Sequence, residues 1–307
     1  SQLEEHAPVT AAVRAAGGLV VLQILHAGRY ARVPTCVAPS DGKARINVHA
    51  PRPLATDEVW ETIERFATTA ALAQAAGYAG VEIMGSEGYL INQFTSAITN
   101  RRDDEYGGSI ENRLRFPLEV FARMREAWPA EKPMSVRISA TDWAEGGLTA
   151  DDAVAIAAAF AEAGVDLVDV STGQTDPASK PVFGRMFQTP FSDQIRNEAH
   201  VATMCVGNIT SADQVNTILA AGRADLVALA RPHLSDPNFT LRAAAWYGVP
   251  DQPWPPQYFL GRDQLRRTAP KDREELTDLK AKARPKTRAD LMAGRTEIAG
   301  GAFDLGP

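Results

Sequence analysis

Alanine-rich amphipathic stretches alternate along this chain with short runs of apolar residues. Three times a helical pattern ends at a glycine and an apolar run follows within a few residues: ALAQAAGYAGVEIMG at Gly77, AAAFAEAGVDLVDVS at Gly164 and ILAAGRADLVALA at Gly222. Glycine just past a helix supplies the left-handed turn that closes it, and the run behind it has the length of a buried strand. Helix starts agree. Thr149 with Asp152, and Ser211 with Gln214, have capping-box spacing. In the helix from Asp57, residues Ile63, Phe66, Ala67, Ala70 and Ala73 share one face.

Six buried strands are predicted, at Leu19–Leu25, Val81–Met84, Met134–Ser139, Leu167–Ser171, Ala202–Val206 and Leu226–Ala230. Strict alternation of strands and helices implies a parallel sheet, as a barrel or a doubly wound sheet. No G-x-G-x-x-G follows a strand, and polar residues stand after most strands, where (β/α)8 enzymes keep their chemistry; both favour an α/β fold of the TIM (β/α)8 barrel type. Six strands leave it without its first two βα units, which at roughly 40 residues per unit would put about 80 residues ahead of Ser1. The chain starts without methionine, inside a helical pattern, which reads as a fragment. Residues 1–265 form the barrel domain on this reading. Residues 266–307, charged and punctuated by proline, read as a partly disordered surface extension.

Composition narrows the partners. The 307 residues are 45% hydrophobic and 23% charged with a net charge of −6, so no global basic field attracts nucleic acid or anionic lipid. No run reaches the ~20 apolar residues of a membrane span, and no signal-peptide layout opens the chain. Two cysteines, Cys36 and Cys205, exclude a disulfide framework or a four-thiolate cluster within this chain and read as inert packing residues. A cytoplasmic setting is the expectation.

Candidate chemistry gathers at strand ends. Gln23, His26 and Arg29 follow the first strand; Glu87 and Tyr89 follow the second; Gly207 and Asn208 end the fifth; Ala230 and Arg231 end the sixth. Arg137 lies within an otherwise apolar strand. An unpaired buried charge costs several kcal/mol, so Arg137 needs an anionic or electron-rich partner. Backbone amides after the last two strands, with Arg231, match the place where such barrels hold a phosphate. These patterns specify a barrel with a phosphate-bearing cofactor or substrate, and no more.

The same segments, QILHAGRYA, EIMGSEGYLINQF, TNRRDDEYGGSIENRLRFPLEV, SVRIS, VGN and LVALARPHLSDPNF, resemble the old yellow enzyme family of NAD(P)H:flavin oxidoreductases, in the family's order and over nearly all of residues 1–267. The first half is similar to 2,4-dienoyl-CoA reductases. The remainder is similar to the reductase half of fused aminobenzoyl-CoA and salicylyl-CoA monooxygenases. The resemblance implies FMN as cofactor and NADH or NADPH as reductant. Gln23 and Arg137 would meet the flavin ring, and Gly207, Asn208, Ala230 and Arg231 its phosphate. Tyr89 would be the proton donor and Glu87 a second catalytic residue, with His26, Met84 and Glu87 on the substrate side. The implied activity is an ene-reductase for α,β-unsaturated carbonyl compounds, with a small molecule as partner; homo-oligomerisation or fusion to a monooxygenase domain stays open.

The chain departs from the pattern where many members carry a histidine pair that donates to the substrate carbonyl. Here those positions are Met84, which cannot donate, and Glu87, which only accepts when ionised. Glu87 is what the dienoyl-CoA branch carries, which points to a CoA thioester. That branch's histidine is missing from STGQTDPASK, and its iron–sulfur cysteines are absent. Plainer readings stand beside these: His26 bridging its loop, Glu87 neutralising Arg29 or Arg137, Tyr89 as a core tyrosine, and Asp103 to Glu111 as a salt-bridged scaffold. A non-catalytic barrel fragment of a larger flavoenzyme, and a flavin-free barrel lyase, are the competing classes.

Overall fold

The computed structural model describes residues 2–283, and these fall into two compact units that divide between Ala230 and Arg231. The first contains a six-stranded parallel sheet of β1 (Val21–Ile24), β4 (Gly80–Gly85), β5 (Met134–Ser139), β6 (Leu167–Ser171), β7 (Thr203–Cys205) and β8 (Leu226–Val227), in that spatial order. A doubly wound sheet reverses its strand order at a switch point. This one never does: each strand lies beside the next in sequence, the order of a barrel wall. All six strands are joined through helices α2 (Thr56–Ala75), α3 (Leu90–Thr95), α4 (Ile110–Ala127), α5 (Ala150–Glu162), α6 (Thr189–Glu198) and α7 (Ala212–Ala220), and α1 (Gln2–Ala15) precedes β1.

The central strands are two-faced. Val81, Ile83, Val136, Ile138, Val168 and Val170 are buried in one core with Ile63, Phe66, Phe121 and Phe160 from the helices. The alternate positions are polar, among them Glu82, Ser135, Arg137, Asp169 and Ser171. The register aligns Gln23 with Glu82, Met84 with Arg137, Arg137 with Asp169, and Asp169 with Met204. Strands read as uniformly apolar runs therefore carry a second, inward face that is hydrophilic.

Local signals behave as expected. Both capping boxes form, with the Thr149 and Ser211 side chains accepting from Asp152 N and Gln214 N. Gly77, Gly164 and Gly222 take φ of +84°, +89° and +67°, closing α2, α5 and α7. The edge strands are shorter than expected: Val21–Ile24 against Leu19–Leu25, and Leu226–Val227 against Leu226–Ala230. Each has a hydrogen-bonded neighbour on one side only. Their exposed flanks include Leu19, at 84% exposure, Val21, Leu25 and Leu226. A small parallel pair, β2 (Val37–Ala38) with β3 (Arg52–Pro53), forms in the long loop after β1, where no periodicity foretold it.

The second unit holds α8 (Arg231–Ser235), α9 (Phe239–Tyr247) and α10 (Phe259–Ala283). Helix α10 corrects the expected extension. It begins before residue 266 and runs through Pro270 to 283, because Leu, Arg, Lys, Glu and Ala there are strong helix formers. Residues 284–307, the rest of that expected tail, lie outside the described residues. Among the described residues, no helix is long and apolar enough to cross a membrane and no group of histidine, cysteine and carboxylate side chains could hold a metal.

Candidate active site at the strand mouths

Strand β5 carries Arg137 toward the inward face, and two carboxylates close on it. Arg137 Nη2 donates to Glu87 Oε1 at 2.8 Å, and Nη1 donates to Asp169 Oδ2 at 2.5 Å. The side chains of Arg137, Glu87 and Asp169 are 17%, 13% and 3% exposed. The buried cation thus has partners in the protein itself, one on the loop after β4 and one on the neighbouring strand.

Glu87 is held by several donors. Beyond Arg137, it accepts from Ser86 Oγ at 2.8 Å and from Ser171 Oγ, while its own backbone N–H donates to Ser139 Oγ at 3.1 Å. Burial alone would raise its pKa. The Arg137 hydrogen bonds and charge, aided by Ser171 and Ser86, outweigh that and hold it below the usual carboxylate range. Asp169 goes the other way. Burial pushes it up, to about 7, and repulsion from Glu82 and Glu87 adds to this against the pull of Arg137. Its Oδ1 is buried without a hydrogen-bond partner. Glu82, a third carboxylate on the same face, accepts from Gln23 Nε2 at 2.7 Å and Ser135 Oγ at 2.9 Å.

Tyr89 opens α3 at the mouth of β4, half-buried, with its ring edge-on to Tyr30 at 5.9 Å between centroids. Tyr30 Oη donates to Gln174 O at 2.5 Å, tying the loop after β1 to the loop after β6. The joint is tight. Glu87, Gly88 and Gln174 all lie on the left-handed side (φ +53°, +75° and +64°), and a Cβ on Gly88 would stand 2.7 Å from Gln174 O and Tyr30 Oη. Such conformations cost of order 1–3 kcal/mol in non-glycine residues and collect at functional sites.

Several candidates take other positions. His26 Nδ1 accepts from Gly28 N at 3.1 Å, so it bridges its loop, and burial, with the Arg65 charge adding, lowers its pKa. Met84 is buried and accepts a 3.6 Å contact from Ser86 Oγ. Gln23 is exposed on the edge strand. Gly207 and Asn208 form a turn with φ of +115° and +51°, and Asn208 Nδ2 donates to Gly184 O at 2.9 Å. Ala230 is the last residue of the first unit, and Arg231 opens α8 in the second. Both cysteines are buried.

The longest motif turns out to be a brace. Asn100 Nδ2 donates to Phe94 O and Tyr106 O at 2.8 and 2.7 Å, Arg102 pairs with Asp104 at 2.5 Å and reaches Pro39 O, and Ser109 caps α4. A Cβ on Gly107 would stand 2.1 Å from Arg102 O, so only glycine fits there. Of the strand-mouth groups, Asp169, Glu82 and Tyr30 were not foreseen. The demand that a buried arginine find a counter-charge, applied to the strand beside Arg137, would have found Asp169.

A parallel barrel wall with a buried guanidinium between carboxylates, and phenols at its carboxyl mouth, places its charged and polar groups where (β/α)8 enzymes keep their chemistry. The model of the NADH:flavin oxidoreductase / NADH oxidase family matches residues 1–251. An NADPH dehydrogenase of Geobacillus sp. (strain WCH70) is 44% identical over 238 residues, covering 77% of this chain and 69% of that protein. Morphinone reductase in complex with tetrahydroNAD superposes with a TM-score of 0.67 at 29% identity, over 84% of this chain and 74% of that one. The 2-naphthoyl-CoA reductase complex with 2-naphthoyl-CoA gives a TM-score of 0.74 at 25% identity; the match covers 79% of this chain and about two fifths (40%) of that chain. This chain belongs to the NADH:flavin oxidoreductase / NADH oxidase family, the old yellow enzyme lineage of FMN-dependent, NAD(P)H-using TIM-barrel oxidoreductases.

Proposed function

We propose that this chain is an ene-reductase that uses NAD(P)H and FMN to reduce the double bond of an α,β-unsaturated carbonyl compound, a CoA thioester in preference to a simple enone. The observation that carries this reading is the half-buried Tyr89 phenol at the mouth of β4, on the same loop as Glu87 of the Arg137 cluster.

The donor set suits FMN. Gln23 has a carboxamide that both donates and accepts, as a pyrimidine edge requires; Arg137 is a cation for the electron-rich end of the ring; the Gly207–Asn208 turn and Ala230 are the candidates for the phosphate. When bound, FMN supplies hydride transfer. The remaining work falls to the chain. Tyr89 is the general acid, holding the proton that goes to the carbon next to the carbonyl. Glu87, ionised and saturated with donors, orients Arg137 and has no proton to offer a carbonyl oxygen. Met84 and His26 border the substrate side. The thioester preference is supported by Met84 and Glu87 replacing a carbonyl-donating pair, and by the likeness to a protein solved with 2-naphthoyl-CoA.

The test is a visible absorption spectrum of the purified chain, with added FMN and the unbound part removed. A retained flavin band that bleaches anaerobically with NADH or NADPH, and returns with an enoyl-CoA, is the expected result. A chain that stays colourless, or a reduced flavin that no activated alkene reoxidises, would overturn it.

A further inference from the structure

The inward face of β4, β5 and β6 has more carboxylates than cations to match them. Glu82 comes from β4, Glu87 from the loop after it and Asp169 from β6, and Arg137 is the cation among them. From β7, Met204 faces Asp169 in register and contributes no charge. Cys205 of the same strand is a neutral thiol, its pKa raised chiefly by burial. With all three carboxylates ionised, the cluster carries two uncompensated negative charges in a space sheltered from water.

The three are not equally able to stay ionised. Glu82 has a donor on each oxygen, Gln23 and Ser135. Glu87 has Arg137, Ser86 and Ser171. Asp169 has Arg137 on Oδ2 alone, and its Oδ1 is buried and unpartnered. A proton entering the cluster therefore settles on Asp169, the carboxylate with fewest donors and least water.

We propose that Asp169 is a positioning residue that stores a proton: when FMN covers the strand mouths, Asp169 takes up one proton from solvent, and Arg137 then presents its charge to the cofactor. This rests on the FMN reading above. The cause is desolvation. FMN held at the strand mouths would remove the water that still reaches Arg137 and Glu87, strengthen the charge interactions of the cluster, and make two excess negative charges costlier than one. The step balances as apoprotein plus FMN plus one proton giving the complex, with no electrons moved.

The test is the FMN dissociation constant of the apoprotein, measured by flavin fluorescence between pH 7 and pH 9. Flavin phosphate has lost its second proton by the start of that range (pKa about 6 for a phosphate monoester). Affinity in the native chain weakens with rising pH, approaching tenfold per unit where one proton is fully linked. Asp169→Asn, which mimics the protonated side chain, binds with little pH dependence and more tightly than the native chain at pH 9. A flat native profile, or a slope retained in Asp169→Asn, overturns the inference. If that variant does not fold, the infrared spectrum of the native apoprotein decides. A carboxylic-acid C=O band that bleaches between pH 6 and pH 9 in step with the weakening of FMN binding supports the proposal, and its absence overturns it. A chain that binds no FMN at any pH refutes the parent reading and this inference together; FMN bound without proton linkage refutes this inference alone.

Discussion

Tyr89 and Tyr30 meet edge to face, yet differ in what holds them. Tyr30 is fastened by its hydroxyl to Gln174 O, and burial, before smaller charge effects, raises its pKa. Tyr89 is the phenol proposed to give up a proton. Tyr89→Phe is expected to leave flavin reduction by NAD(P)H unchanged and to slow reoxidation by the alkene about 10²–10⁴-fold; stopped-flow traces of the two half-reactions separate them. Asp169 yields a second prediction at this scale. Its carboxyl is raised to about 7 in the fold, against about 4 in an unfolded chain. The folded state thus binds more protons than the unfolded state across that window. The stability owed to this group is complete on the acid side and is lost as pH rises toward 7. Glu87, depressed by Arg137, slopes oppositely and loses its contribution as pH falls below the ordinary glutamate value. Thermal melts from pH 4.5 to 8 should decline in the native chain and flatten in Asp169→Asn.

At the scale of elements, the joint between the loops after β1, β4 and β6 and the ends of the helices make opposite demands. Gly88→Ala would place a Cβ 2.7 Å from a backbone carbonyl at φ +75°, so a loss of about 1–3 kcal/mol is expected, together with a displaced Tyr30. Thr149→Ala removes one exposed cap whose side chain pairs with Asp152, costs about 1 kcal/mol, and should lower the melting temperature by about 2–4 °C without changing kcat. Such elements differ in how legible they are from sequence. Helix caps, glycine stops and the apolar faces of α2 and the central strands are written locally, so the alternation of strands and helices could be read directly. The inward face could not, because Glu82 and Asp169 gain meaning only when register sets them beside Gln23 and Arg137. Arg137 was foreseen to need an electron-rich partner and Glu87 was weighed as one; the structure pairs it with Glu87 and, unforeseen, with Asp169. Helix α10 was missed because charge and proline, read as marks of disorder, coexist there with strong helix propensity.

For the whole molecule, the edges matter most. Among the described residues, β1 pairs with β4 alone and β8 with β7 alone, and the flanks of these strands expose Leu19, Val21, Leu25 and Leu226. Open apolar edges are templates for pairing with another chain. The chain as it stands should associate as its concentration rises, and Val21→Lys should suppress that; light scattering across a dilution series would show it, and an unchanged profile would remove the edge as the cause. The net charge of −6 opposes such contacts only weakly at physiological salt. The two-faced strands work in the other direction. Their outward valines and isoleucines seat the helices, while the inward row touches no helix core and carries the charges. One wall thus answers to two separate demands, shape behind and polarity in front. A barrel built this way can exchange the reaction at its mouth, one inward side chain at a time, while its helices keep their seats.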